Sequence, residues 1–585
     1  STGLAFSNLT AVELAANMVL TISLSQLGKI GTVDTSASSS SLSVNLSGVT
    51  IDGESVDISG TTLGAGTINV TLANNATFTI SASQADGATV GGVGSAIIKG
   101  SGVSSLNISS FTSSSVNIAQ VNSGAVISSL TTPTVASNST LTLTAAQANG
   151  KTIGSSGAAS ASATGGSIIL TSIDNSSLNL ANLTAGAAGS GTAGTVTSTI
   201  GANLTLNAGT VLGNVALTVS KDATLTLTAA QANGKTITGA TATAGGSDAG
   251  GSIAITGIDN SSLNFANLSG GAANGGSTTA GTVTSTIGAN LTLHSGTVLG
   301  NVALTVAKDA ILTLSAAQAS GKTIGGAAST GSGEVGGSVV VTSLDGSAAY
   351  LLNTLTAGGS SGGGSAGSIT AAVAVDTTLN GSTDLGATVV TVASNAELTL
   401  SATQASSKTI TGATATSGGS HHGGSVVVTG LDGSAAYILS SLTAGAANGG
   451  STTAGTVTAA VAVDAELNGS TVLGATVVTV AKTKTLTLTA AQASGKTIGG
   501  EAATVSGTAG GSIILTGIDN SSLNFANLSA GATGSGGNAG EVTSEITINL
   551  ALHSGTVLGN VALTVAKTKT LTLTAAQANG KTITG

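Results

Sequence analysis

Few residues in this sequence have the chemistry to act on another molecule. The imidazoles are His294, His421, His422 and His553; there is no Cys, and every basic residue is Lys. Without cysteine, disulfide staples and thiolate metal sites are excluded. His294 and His553 occupy the same place in two copies of a repeated phrase, and Asn207 stands there in another. A general base does not survive exchange for Asn, whereas an outward-facing strand position does. His421-His422 lies in a Gly-rich loop with no carboxylate or further His close by, so it reads as an incidental pair rather than a zinc site. Gly150-Lys151-Thr152 has the Lys and Thr of a phosphate loop but lacks the leading glycine and a following helix. Ser and Thr are plentiful everywhere, so their presence does not imply a Ser–His–Asp arrangement. No catalytic or cofactor-binding residue is assigned, and no enzymatic activity is expected.

One carboxylate recurs: Asp174, Asp259, Asp345, Asp432 and Asp519, each 23 or 24 residues after Lys151, Lys235, Lys322, Lys408 or Lys496. Two readings compete. The pair could be neighbours on successive rungs of a stack, or the Asp could open an Asp-Asn or Asp-Gly turn beside a solvated Lys. The turn is favoured. Calcium wants about six to eight oxygens, several of them carboxylate. The Gly-Gly-x-Gly-x-Asp nonapeptide and the EF-hand loop are both absent, so these five Asp are weak calcium candidates and no cofactor is otherwise expected.

The elements that must position these groups come from a repeat. Leu-Thr-Leu-Thr-Ala-Ala-Gln-Ala-Asn-Gly-Lys-Thr-Ile recurs with its Gln at 147, 231, 318, 404, 492 and 577, at spacings of 84, 87, 86, 88 and 85. A degenerate copy surrounds Gln84. Residues 257–269 recur unchanged as 517–529, and 294–308 as 553–567, the mark of module duplication. Copies come in two flavours, Ile-Asp-Asn-Ser-Ser-Leu-Asn (Asp174, Asp259, Asp519) and Leu-Asp-Gly-Ser-Ala-Ala-Tyr (Asp345, Asp432).

Within residues 251–325 the period divides into three phrases, 252–268, 282–299 and 302–324. Each opens on a short alternating strand and reaches a second apolar one, with Leu, Ile and Val inward and Thr, Asn and Ser outward. No phrase can enclose a core alone, so each must stack on its neighbours. Residues 228–234 read as one helical turn, with Thr228 as N-cap and Gly234 as the left-handed residue after it. It serves as a corner device, with a Gln-centred binding motif as the alternative.

The expected fold is all-β: a repeat-built parallel β-solenoid with Gly-rich loops at 240–251 and 270–281. The alternative is a row of tandem Ig-like sandwiches, with those loops as linkers. Scarce aromatics, the single Pro133 and the phrases repeating within a period count against it. Residues 1–65 are read as an N-terminal cap or divergent region, with the apolar stretch 9–27 as the cap. Residues 66–139 are a degenerate repeat, and 140–585 hold about five repeats of about 86 residues. The chain opens Ser1-Thr2-Gly3 without Met, as after loss of a leader, and stops in mid-period, as one part of a longer protein does.

Composition narrows the function. Charged residues are 6%, against about 25% in an ordinary domain. The 41% apolar content and its orderly spacing argue against whole-chain disorder. A net charge of −9 without Arg argues against nucleic-acid binding. No apolar run reaches membrane-spanning length, so no membrane span is expected.

The phrase at 141–148, the lack of Arg and Cys, the acidic balance and the mosaic modules resemble very large bacterial surface proteins: S-layer-like proteins and giant adhesins exported by one-step secretion. The resemblance covers roughly residues 70–585 and brings no catalytic residues. It implies an extracellular, cell-surface location. It also implies self-assembly into a filament, sheath or surface layer, with the chain itself as partner, or an adhesin stalk reaching toward cell-surface glycans. Ice binding, suggested by Thr224-Leu225-Thr226, ranks third because the equivalent position varies among Asn, Thr and Ser.

Overall fold

The computed structural model describes residues 68–92, 94–99 and 140–585 apart from 277, 419, 451 and 535. It also describes the short pieces 12–13, 33–34, 49–51, 55–59, 110–111, 115–118, 133–135 and 137–138. The apolar stretch 9–27 lies outside the described residues save Val12–Glu13, which pairs in parallel with Val33–Asp34. The chain divides into two compact units. The first is Ser1–Ile258, Leu263–Ser285 and Val298–Val302; the second is Asp259–Ser262, Thr286–Thr297 and Ala303–Gly585. Each is a parallel β-solenoid.

One period of the second unit shows the winding. Its first rung carries strands Val389–Val392 and Glu397–Ser401 and the helical turn Ala402–Ala405. The second carries Ile410–Gly412 and Ser425–Thr429. The third carries Leu442–Thr443, Val457–Val461 and an extra strand, Ala465–Glu466. Strands of two to five residues bury almost nothing alone, so the rung above and the rung below supply both the hydrogen bonds and the contacts. Leu398 lies against Val426 and Val426 against Val457; Val390 lies against Ile410 and Ile410 against Leu442. All six are buried, and burying each aliphatic side chain contributes about 1.5–3 kcal/mol.

Seven strands in three rungs leave one strand over, and this shifts the next period sideways by one column. The sheet that begins at Thr377–Thr378 takes Glu397–Ser401, Ser425–Thr429 and Val457–Val461 from one period. It continues with Val477–Val480, Ile498–Gly500 and Leu528–Ser529 from the next. The sheet from Leu291–Thr292 to Leu442–Thr443 overlaps it in the same way. In the first unit a sheet runs from Thr140–Thr144 through Ser167–Thr171, Val196–Ile200, Ala216–Val219 and Ile237–Gly239 to Leu268–Ser269. Within each unit a period therefore lends strands to more than one sheet, which a string of independently folded sandwiches does not do.

The Gly-rich segments are pinned to one another by backbone at their ends. Gly424 N–H donates to the Ala413 carbonyl, Gly445 N–H to Gly424 and Gly455 N–H to Gly445, at 2.8–2.9 Å. These backbones approach so closely that a Cβ on Gly445 would stand 1.9 Å from the Ala413 oxygen.

Two substitutions test this packing. Gly445→Ala forces the backbone apart at a cost of about 1–3 kcal/mol or more, whereas Gly288→Ala, with nothing near its added Cβ, is tolerated. Limited proteolysis should show new cuts near the 412–455 segment in the first variant and none in the second. Thr388 is 1% exposed and its hydroxyl has no partner among the described residues; Val215, Val302 and Val561 hold the same place elsewhere. Thr388→Val removes an unsatisfied buried hydroxyl and should stabilise by about 1 kcal/mol, read as a higher denaturation midpoint; a lower one would refute the assignment.

Candidate functional site

The polar residues singled out by the repeat do converge in space, and they converge on backbone. The helical turn Ala402–Ala405 starts because Ser401 accepts the Gln404 N–H while Gln404 Oε1 accepts the Ser401 N–H, a reciprocal capping box. The Gln404 amide then reaches the rung beneath, donating to the carbonyls of Asn380 at 2.7 Å and Thr383 at 3.0 Å. Gln231, Gln318, Gln492 and Gln577 make the same pair of bonds, and Gln84 donates to Ile58. The recurring Gln is thus a bracket between rungs. Thr228 and Gly234 hold the N-cap and left-handed places expected of them.

Lys235, Lys408 and Lys496 bond to backbone and not to the repeated Asp. Lys408 Nζ donates to the Gly386 carbonyl at 2.7 Å and Lys496 to Gly474 at 2.6 Å; Lys235 and Lys581 donate likewise to Gly213 and Gly559. The Asp opens a turn, as favoured. Asp174, Asp259, Asp345, Asp432 and Asp519 each accept the N–H of the Ser two residues on, at 2.9–3.0 Å. In the second flavour the turn gains a further donor. The Tyr437 hydroxyl reaches Asp432 at 2.7 Å, and Tyr350 reaches Asp345. Asp-Gly-Ser and Tyr therefore travel together, and that pairing between copies was the signal available in the sequence.

His294 and His553 lie in the turn just after a strand rather than on it. Their Nδ1 accepts the N–H two residues on at 3.0 Å; Asn207 Oδ1 does the same at 2.9 Å, and Asn380 and Asn468 at 3.0 Å. His and Asn interchange because both place an acceptor at this point. His421 Nδ1 contacts the Asn395 amide at 2.9 Å, and His422 Nδ1 the Gly423 carbonyl at 3.2 Å. Among the described residues, no group of three or more His, Asp or Glu is placed to hold a metal ion.

Other polar side chains extend the pattern. Asn149, Asn233, Ser320, Ser406 and Ser494 each accept a backbone N–H from the following rung. Asn203, Asn290, Asp376, Asp464 and Asn549 do so at another corner. The sequence shows these residues but not that they form columns, because each contact spans about one rung. Ion pairs join exposed Lys99, Lys221 and Lys308 to Asp57 and to the half-buried Asp248 and Glu334, respectively. In the first unit a groove of about 360 Å³ is lined by Thr210, Val211, Gln231 and Lys235. Its Gln and Lys are already bonded to backbone, which leaves little to grip a ligand.

No family model, curated protein or solved structure matches this chain. Among the described residues, no helix is long and apolar enough to cross a membrane.

The turns carry a pH dependence. Donation from the Ser434 N–H, then the Tyr437 and Ser434 hydroxyls, lowers Asp432 from 3.8 to about 2. A carboxylate lowered by folding stabilises above its unfolded value, and that contribution is lost as pH falls through the folded one. Stability should therefore decline between about pH 4 and pH 2. Asp432→Asn should flatten that part of an acid titration followed by circular dichroism, and an unchanged slope would show that the turn does not titrate with the fold.

Proposed function

We propose that this chain is an extracellular structural protein of a microbial surface, associating with copies of itself into a filament, sheath or layer, and that it performs no catalysis. One observation carries the reading: the repeated polar side chains are engaged on backbone, in their own turn or on a neighbouring rung, and the outward rows are short and nearly neutral. In the first unit one such row runs Thr199, Thr218, Thr238, Ser269; in the second, Ala372, Thr391, Thr411, Thr443. Equivalent rows, neutral except where Glu545 stands beside Thr564 in the last period, offer many similar contacts to another copy and little long-range repulsion between copies. The resemblance to S-layer-like proteins and giant adhesins supports the location, and glycans of a cell surface are the further partner it suggests.

Electron microscopy of native cells and of the purified chain tests the proposal. Ordered filaments or layers, growing with concentration, are the expected result. Dispersed single particles under all conditions would reject self-assembly and favour the stalk of an adhesin.

A further inference from the structure

Asparagine followed by glycine is chemically fragile, because a glycine leaves the next peptide nitrogen unhindered to attack the asparagine side chain. The stacking of rungs treats such pairs unequally. At Asn149-Gly150 and Asn233-Gly234 both reactants are tied. The Asn oxygen accepts the N–H of Asn179 or Asn264 at 2.8 Å, and the Gly N–H donates to the carbonyl of that same residue at 2.8 Å. Asn274-Gly275 and Asn448-Gly449 lie in Gly-rich loops. There Thr278 and Thr452 hydroxyls accept the Asn N–H at 2.8 Å and donate to the Gly carbonyl at 2.7 Å. That clasp leaves both the Asn side chain and the Gly N–H without a partner among the described residues. All four Asn are exposed, so access of water does not separate them.

We propose that Asn274 and Asn448 are sites of spontaneous deamidation, while Asn149 and Asn233 are kept inert by the rung stacked on them. The Gly275 or Gly449 nitrogen loses its proton and bonds to the Asn Cγ. The Cγ–NH2 bond breaks and ammonia leaves with that proton, closing a succinimide ring. Water then opens the ring at either carbonyl to give aspartate or isoaspartate, so the balance is one water taken up and one ammonia released. Each event adds a negative charge to a chain of net charge −9, and the isoaspartate product lengthens the backbone by a methylene at the loop. Asn380 and Asn468, whose side-chain oxygens alone are held, by the N–H of Ser382 and Ser470, fall between the two classes.

The test is to incubate the folded full chain in mildly alkaline buffer, then digest it and follow each Asn-Gly peptide by mass spectrometry with isoaspartate detection. A parallel sample is kept unfolded in denaturant. In the folded chain Asn274 and Asn448 should convert several-fold faster than Asn149 and Asn233; in the unfolded chain all four should convert alike. Equal rates in the folded chain, or Asn274 and Asn448 staying intact while their unfolded counterparts convert, would overturn the proposal.

Discussion

The structure depends on parallel backbone pairing between successive rungs. A strand of two to five residues has N–H and C=O groups on both edges, and each group left in the protein without a partner is costly. The neighbour that meets this need is another copy of the same kind of segment, one turn further along the chain. Apolar alternation then places Leu, Ile and Val of each rung against Leu, Ile and Val of the next. Slipping the pairing by one residue would turn that face to water, so hydrophobic pattern and backbone register enforce one another.

The polar residues do for the corners what the aliphatic residues do for the faces. A chain that turns two or three times per rung exposes peptide groups at every bend. Gln404, Lys408, Asp432 and Asn380 each bind one or two such groups, and their equivalents do so in other periods. This explains how a protein with so few charges keeps the same ones in place from copy to copy: each sits where a bend needs an acceptor or a donor. Hydrogen bonds of this kind contribute about 0.5–1.5 kcal/mol net, but leaving the bend unsatisfied costs more. Retention of a polar residue across repeats is here a sign of turn geometry, and by itself no argument for binding.

Much of this was legible in the sequence. The Leu-x-Leu alternation, the three phrases in residues 251–325 and the capped helical turn at Thr228 all describe local geometry, and local geometry is what periodicity encodes. The favoured Asp turn was likewise local, with its partner two residues away. What escaped is everything that spans a rung. Gln231 reaches Asn207 and Thr210, 24 and 21 residues back, and Lys235 reaches Gly213, 22 back; the same separations hold in other copies, but nothing local to the Gln or Lys marks which backbone groups of the preceding rung lie opposite. The Gly-rich segments left two readings open for a related reason: glycine marks both flexible linkers and close backbone contact, and only the neighbouring chain at Gly424 and Gly445 distinguishes the two.

Loop length also explains why the period is elastic. Pairs whose connection holds the helical turn but no Gly-rich segment are separated by 20 residues, as in Leu217 with Ile237, Val390 with Ile410 and Leu563 with Ile583. Pairs across a rung with a Gly-rich connection vary: Ile253 with Val283 is 30 apart, Val426 with Val457 is 31 and Ile513 with Val542 is 29. A residue gained in the first kind of rung would displace a bracketed Gln or a buried strand. In the second kind it lengthens a connection whose ends are already pinned, and the entropic cost of a slightly longer loop is small. Insertions and deletions therefore collect where the fold tolerates them, and whole periods can be duplicated because each restores the same offset between columns. The near-identical modules of this chain and its uneven spacings are two consequences of one division of labour between rigid and adjustable rungs.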